Sequence, residues 1–166
     1  MPNGASTFAI DQLHLPVKDV VAGLDTEDFY VGGSILEVTV DPSHPVMTGM
    51  PERSKIMVAR SPVFTVTEGF EGTALAKYQE LGSPLVSGYL LGEEYIQGYA
   101  AALDVFHGDG HVILLGFRPQ WRAQSYATFP ALFNAALYSE DVAGVASGNT
   151  DFWSPPAPKD EGEGGE

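Results

Sequence analysis

The 166-residue chain contains no cysteine. This excludes disulfides, thiolate metal sites and a cysteine nucleophile. Positive charge is also scarce: eight lysines and arginines stand against 22 aspartates and glutamates, a formal net charge of −14. Such a balance repels phosphate backbones and anionic lipid, so neither nucleic acid nor a membrane surface is an expected partner; the acidity serves solubility. No apolar run of about 18 residues occurs, so no membrane span is expected. The N-terminus MPNGASTFAIDQL lacks a basic region followed by an apolar core, and no signal peptide is visible in it.

What is present is ordinary globular material in short pieces. The length suits one domain with a real core, placed here at residues 1–150, with 151–166 as an acidic disordered tail. Four of the acids fall between Lys159 and Glu166. Twelve prolines and nineteen glycines imply many turns and short elements.

The chain is organised around Ala100–Tyr138. Leu103, Val105 and Phe106 lead into His107-Gly108-Asp109-Gly110, and Asp-Gly between apolar runs is a strong hairpin signal. His111 to Phe117 is apolar on both faces, which predicts a central strand covered twice. A polar loop, Arg118 to Gln124, must end strand pairing. Phe129, Leu132, Phe133, Ala136 and Leu137 then recur at i, i+3, i+4, i+7 and i+8, the stripe of a covering helix. Thr128 can cap that helix, and Pro130 is tolerated in its first turn.

Upstream, Ser6–Ile10 is expected to be a short buried segment and Asp11–Gly23 a helix-like turn interrupted by Pro16. Ser34–Val40 alternates as a strand, and Asp41-Pro42-Ser43-His44-Pro45 forces a turn. Lys55–Val58 and Val63–Thr67 are short strands. Leu90–Gln97 is expected to be a short helix with Glu93 and Glu94 in its first turn. Gly72–Tyr78 is ambiguous between helix and strand on composition.

Several stretches carry a family likeness: GFRPQWRAQ followed by TFPALFNAAL, LPVKDVVAGL, the GGSILEVTVDPSHPVMTGMP block and SGYLLGEEYIQGYAAALDV. Together they resemble the C-terminal class I glutamine amidotransferase-like domain appended to certain bacterial zinc carboxypeptidases. The resemblance spans most of Ala5–Leu137 and implies an α+β or truncated α/β fold of amidotransferase or flavodoxin-like derivation, a sheet of short strands with a C-terminal covering helix. It makes Gly72–Tyr78 a strand. It also implies that an N-terminal half with parallel strands is missing, along with the peptidase domain that carries the chemistry. A chain lacking that half would expose a sheet edge and an apolar face, so self-association into a homodimer or higher cyclic form is expected. Related full-length proteins look exported.

The candidate chemistry is thin. A carboxypeptidase zinc site needs a histidine and a glutamate in one short turn plus a distant histidine; His-x-x-Glu does not occur, and nothing follows His14 or His44 at usable spacing. Amidotransferases of this class depend on a cysteine that is absent here. His107 and His111 are the candidate metal pair. A three-residue loop, Gly108–Gly110, would set them opposite each other, whereas a two-residue loop, Asp109-Gly110, would send the imidazoles to opposite faces. No cofactor is expected otherwise; zinc or another divalent metal belongs to the enzyme alternative. Gly-x-Ser-x-Gly is absent, and Ser125, at the head of the last helix, is better explained as a cap than as a nucleophile. Arg118, Gln120, Arg122 and Gln124 alternate and would form one polar row if the loop is extended. Such a row suits a carboxylate or phosphate, or else braces the loop against Glu93, Glu94 or Asp104. The expected function is a non-catalytic accessory or assembly domain; the alternatives are a small ester or phosphoester hydrolase, metal-assisted through His107 and His111, and an anion-binding module.

Overall fold

The computed structural model describes residues 4–122, 125–138 and 151–157. The fold is α+β: an eight-stranded sheet of short strands with two helices, one of them C-terminal. Every strand pairing is antiparallel. The strands are β1 (Val17–Asp19), β2 (Ser34–Val40), β3 (Arg53–Val58), β4 (Phe64–Val66), β5 (Gly72–Lys77), β6 (Leu85–Ser87), β7 (Ala100–His107) and β8 (Gly110–Leu115). Their order is β1-β4-β7-β5-β2-β3, with β6 added on β2 and β8 on β7. Gly72–Lys77 is a strand, as the resemblance implies and its composition alone does not. No helix among the described residues is long and apolar enough to cross a membrane.

The central strand is β7 rather than the His111–Phe117 segment. Residues Ala100–Val105 are all buried, and β7 is flanked by β5 on one edge and by β8 and the end of β4 on the other. β8 pairs only with β7. Its two apolar faces are still used, because the hairpin register sorts them onto opposite sides of the sheet. Leu103 and Val105 pair with Leu114 and Val112 and join Leu15, Val17 and Phe64 in one core. Ala102 and Asp104 pair with Leu115 and Ile113 and face a second core built on Leu36, Val38, Met47 and Ile56.

The N-terminal segment is a regular helix, α1 (Gly4–Leu13), instead of a buried piece followed by an interrupted turn. Ala9 and Ile10 pack against the first core, and the buried Ser6 donates its Oγ hydrogen to the Leu115 carbonyl at 3.2 Å. The segment Leu90–Gln97 contains only a 3-10 turn at Glu93–Tyr95. Residues 151–157, expected to start a disordered tail, lie against the sheet. Trp153 Nε1 donates to the Gly98 carbonyl at 2.7 Å, and the Lys77 ammonium stands 5.3 Å from the Phe152 ring centre. Two large aromatic rings next to a half-covered core supply apolar burial that the charge-rich composition beyond them obscures.

Helix α2 (Phe129–Leu137) has the predicted bounds but the opposite rotation. Ala131 is buried, Ala135 and Tyr138 pack partly on the second core, and Asn134 Nδ2 donates to the carbonyls of Val46 (3.1 Å) and Thr48 (2.9 Å). Residues 131, 134, 135 and 138 share a face by the helical period. Small side chains there allow close approach to the 3-10 turn Pro45–Met47, and the polar anchors Asn134 and Tyr138 determine which side faces inward. The stripe expected to cover the sheet therefore turns out: Phe133 is 61 % and Leu137 78 % exposed, with Leu132 and Ala136 also exposed.

Candidate functional site

The hairpin separates the two candidate metal ligands. Phe106 pairs with His111 and His107 with Gly110, leaving a two-residue loop, Gly108–Asp109. Gly108 takes φ 60°, the positive value a hairpin loop of the II′ kind needs at its first position. Cross-strand partners share a face, so His111 lies with Phe106 and, two residues back, Asp104, while exposed His107 is on the other side. The register matches neither loop expected from the sequence, because glycine at 108 rather than at 110 occupies the positive-φ position. Among the described residues no three histidine, aspartate or glutamate side chains are arranged to hold a metal.

The arginine row is also interrupted. Arg122 adopts φ 48°, so the loop is not extended through it and the alternation does not align the side chains. Arg118 turns inward. Its backbone N–H donates to the Met57 carbonyl at 2.8 Å, its guanidinium donates to the Ala59 carbonyl at 3.3 Å, and its Nε is buried without a partner among the described residues. Both guanidiniums stand over Trp121, at 4.6 Å for Arg118 and 5.7 Å for Arg122, a cation–π arrangement. Gln120 is exposed, and Gln124 lies outside the described residues. The acids expected to brace Arg118 are replaced by a carbonyl and an indole ring. Ser125, at φ 59°, donates to the Lys55 carbonyl, and Thr128 donates its hydroxyl hydrogen to the carbonyls of Pro119 (2.8 Å) and Ser125 (2.7 Å). Neither side chain caps α2.

The polar constellation that the fold does assemble centres on Asp104, fully buried in β7. His111 Nδ1 lies 2.9 and 3.0 Å from its two oxygens, and His44 Nε2 lies 3.3 Å from Oδ2. His44 is 1 % exposed and caps the Pro45–Met47 turn: its Nδ1 accepts from the Val46 N–H at 3.2 Å. That bond assigns the proton of the neutral ring to Nε2, which therefore donates to Asp104. The Tyr138 hydroxyl is 3.3 Å from His44 Nε2 and also bonds Asp104. Burial first, and the Asp104 carboxylate second, hold the Tyr138 phenol well above its usual range. Asp104 thus accepts from β8, from the 44–47 turn and from the residue that ends α2. Its neighbour β5 comes close enough for Gly72 (φ 153°) that an added Cβ would collide with the Asp104 carbonyl.

Aromatic edges close over this cluster. Phe106 meets His111 at 4.9 Å between ring centres, and Tyr138 meets His111 at 4.8 Å and His44 at 5.3 Å. Fixing the Nδ1 hydrogen of His111 toward Asp104 would leave its Nε2 basic, but at 14 % exposure His111 offers little access to a substrate. The chemistry best suited to this arrangement is to clasp α2 to the sheet in one rotation. The sequence marks His111 as a candidate ligand and Asp104 only as an arginine partner, and His44 and Tyr138 lie 60 and 34 residues from Asp104 in the chain. No local spacing links such residues.

The face that the clasp presents is apolar. Tyr126, Phe129 and Phe133 form a ring ladder with centres 5.5 and 6.3 Å apart, continued by Leu132 and Leu137. No charged residue occurs from 123 to 138. No family model, no curated protein and no solved structure matches this chain.

Proposed function

We propose that the chain is a non-catalytic accessory or assembly domain that associates with a second copy of itself through the outward face of α2. The observation that carries this is the rotation of α2, which turns Ala131, Asn134 and Ala135 inward and leaves Leu132, Phe133 and Leu137 exposed. Contiguous exposed apolar surface of this kind marks interaction sites. A second copy is the favoured occupant because of charge. With −14 on each chain, two copies repel over most of their surfaces, and the uncharged 123–138 stretch is where they can approach. A two-fold interface needs only one self-complementary patch. The resemblance of the quoted motifs to the amidotransferase-like domain of zinc carboxypeptidases agrees with an accessory role.

Light scattering on dilute protein tests the reading. The expected mass is twice the 17.7 kDa of one chain, falling to one chain in the Phe133→Asp/Leu137→Asp double variant with an unchanged far-ultraviolet spectrum. A concentration-independent single-chain mass for the unaltered protein would overturn it. The competing hydrolase reading draws on the Asp104–His111 pair; turnover of activated esters that is lost in His111→Gln would favour it.

A further inference from the structure

A cavity of about 280 Å³ lies between α1, the segment after β1 and the turn at residues 59–61. It shares no residue with the α2 face. Its walls are largely apolar, with Leu24, Phe29 and buried Val31 among them. Three polar groups interrupt that lining. Asp19 is half-buried, and its Oδ1 accepts the backbone N–H groups of Val63 (3.0 Å) and Val21 (3.2 Å). Its second carboxyl oxygen takes no hydrogen bond among the described residues. Thr7 lines the same wall, with its hydroxyl buried and without a partner among the described residues. Arg60, a solvent-exposed residue, stands at the cavity's edge, and its guanidinium has no hydrogen bond or ion pair among the described residues. Its backbone is held at φ 49°, a left-handed value that arginine rarely adopts, by its own N–H donating to the Val31 carbonyl at 2.9 Å and by Ser61 Oγ accepting from the Ala59 N–H.

Opposite charges lining the same cleft usually satisfy each other, yet Asp19 and Arg60 form no ion pair. Backbone strain retained at a cleft beside a carboxylate with a free oxygen is a feature of ligand clamps. We propose that this cavity binds a small zwitterion with an apolar body, of the apolar amino-acid class. The ammonium would be taken by the free oxygen of Asp19, the carboxylate by Arg60, and the side chain by Leu24, Phe29 and Val31. A ligand bearing both charges compensates both protein groups, whereas a simple amine would leave the guanidinium unpaired and a simple acid the carboxylate. The volume is slightly below the roughly 300 Å³ at which drug-sized pockets begin, which restricts the ligand to a small one. Burial pushes the Asp19 carboxyl above its ordinary value, as a carboxyl awaiting a cation in an apolar setting would be.

Thermal shift and titration calorimetry on the full chain provide the test, with leucine and phenylalanine as probes against isoamylamine, 4-methylpentanoate and neutral isoamyl alcohol. The expected result is saturable stabilisation by the amino acids, at least tenfold weaker binding of the singly charged analogues, and a similar loss in Asp19→Asn and Arg60→Gln. Asparagine keeps an acceptor for both backbone N–H groups, so folding of that variant is expected and its spectrum would be checked. No binding by any probe at millimolar concentration overturns the proposal, and so does equal binding of the alcohol. The mass of the assembly is read separately, so failure here leaves the α2 interface untouched, and the reverse.

Discussion

Two carboxylates, the fully buried Asp104 and the half-buried Asp19, are treated very differently by the same sheet. Asp104 sits on the central strand with no solvent contact and accepts from two imidazoles and a phenol brought by three separate elements. Asp19 ends the first strand, takes two backbone N–H groups on one oxygen, and faces a cavity. A buried carboxylate is tolerated only when its lone pairs are occupied. Where side chains from distant elements occupy them, the group joins those elements and becomes part of the fold. Where the backbone occupies only half of them, capacity is left for something that is not part of the chain. The structural aspartate and the candidate binding aspartate are thus distinguished by the completeness of their partners.

The largest expected effect lies on the Asp104 side. Asp104→Ala leaves the His44 Nε2 hydrogen and the Tyr138 hydroxyl facing an apolar void, and each buried donor left without an acceptor costs about 1–3 kcal/mol. Chemical denaturation should show that loss; a change below about 1 kcal/mol would mean the cluster holds nothing. Tyr138→Phe removes a single donor to the same carboxylate, and about 1.5–3 kcal/mol is expected. It should also loosen α2, so the assembly mass should fall at concentrations where the unaltered protein remains paired. If Tyr138→Phe leaves both stability and mass unchanged, the clasp does not position the interface.

Arg118→Lys tests a third buried polar group. An ammonium cannot keep both the Ala59 carbonyl and the flat stack on Trp121, and roughly 1–2 kcal/mol should be lost. Equal melting temperatures would show that the loop needs no brace.

The smallest effect is the pH dependence of Asp19, and its sign is opposite to that of most aspartates. Its folded-state value is raised above 3.8 by burial, the two backbone hydrogen bonds only partly opposing this. The folded chain therefore holds the proton more tightly than the unfolded one, and this group's contribution to stability grows as pH falls through the raised folded value toward 3.8. It is lost again as pH rises through that value. Asp19→Asn should flatten the profile in this window while leaving Asp104-dependent stability intact. A profile identical to the parent's would show that Asp19 is not desolvated in solution.

Much of the secondary structure was legible. The alternation in Ser34–Val40, the turn chemistry of Asp41–Pro45 and the helix at Phe129–Leu137 follow from local pattern, and all three are found. The hairpin was legible in place but not in register, since a glycine on either side of Asp109 can supply positive φ and strand pairing decides between them. Spacing along the chain does not reveal His44, because its partner is a carboxylate on a distant strand. Alternation predicts an extended Arg118–Gln124 row, which the left-handed Arg122 bends.

By itself the sequence determined composition-level limits and local elements: no thiol chemistry, a strongly acidic surface, short strands, and a terminal helix whose strongest apolar stripe is Phe129, Leu132, Phe133, Ala136 and Leu137. Periodicity is a property of neighbouring residues, so it survives without knowledge of the rest of the chain. Only tertiary structure decided which side of that helix faces in. Hydrophobicity alone would bury the stripe, but Asn134 and Tyr138 find acceptors on the 45–48 segment and on Asp104, and both polar groups would lose them if the helix turned by half a revolution. The smaller alanine face packs closely where they anchor it, and Phe133, Leu132 and Leu137 are left outside because specific hydrogen bonds, assembled from residues far apart in sequence, outweighed the non-directional preference of the larger apolar face.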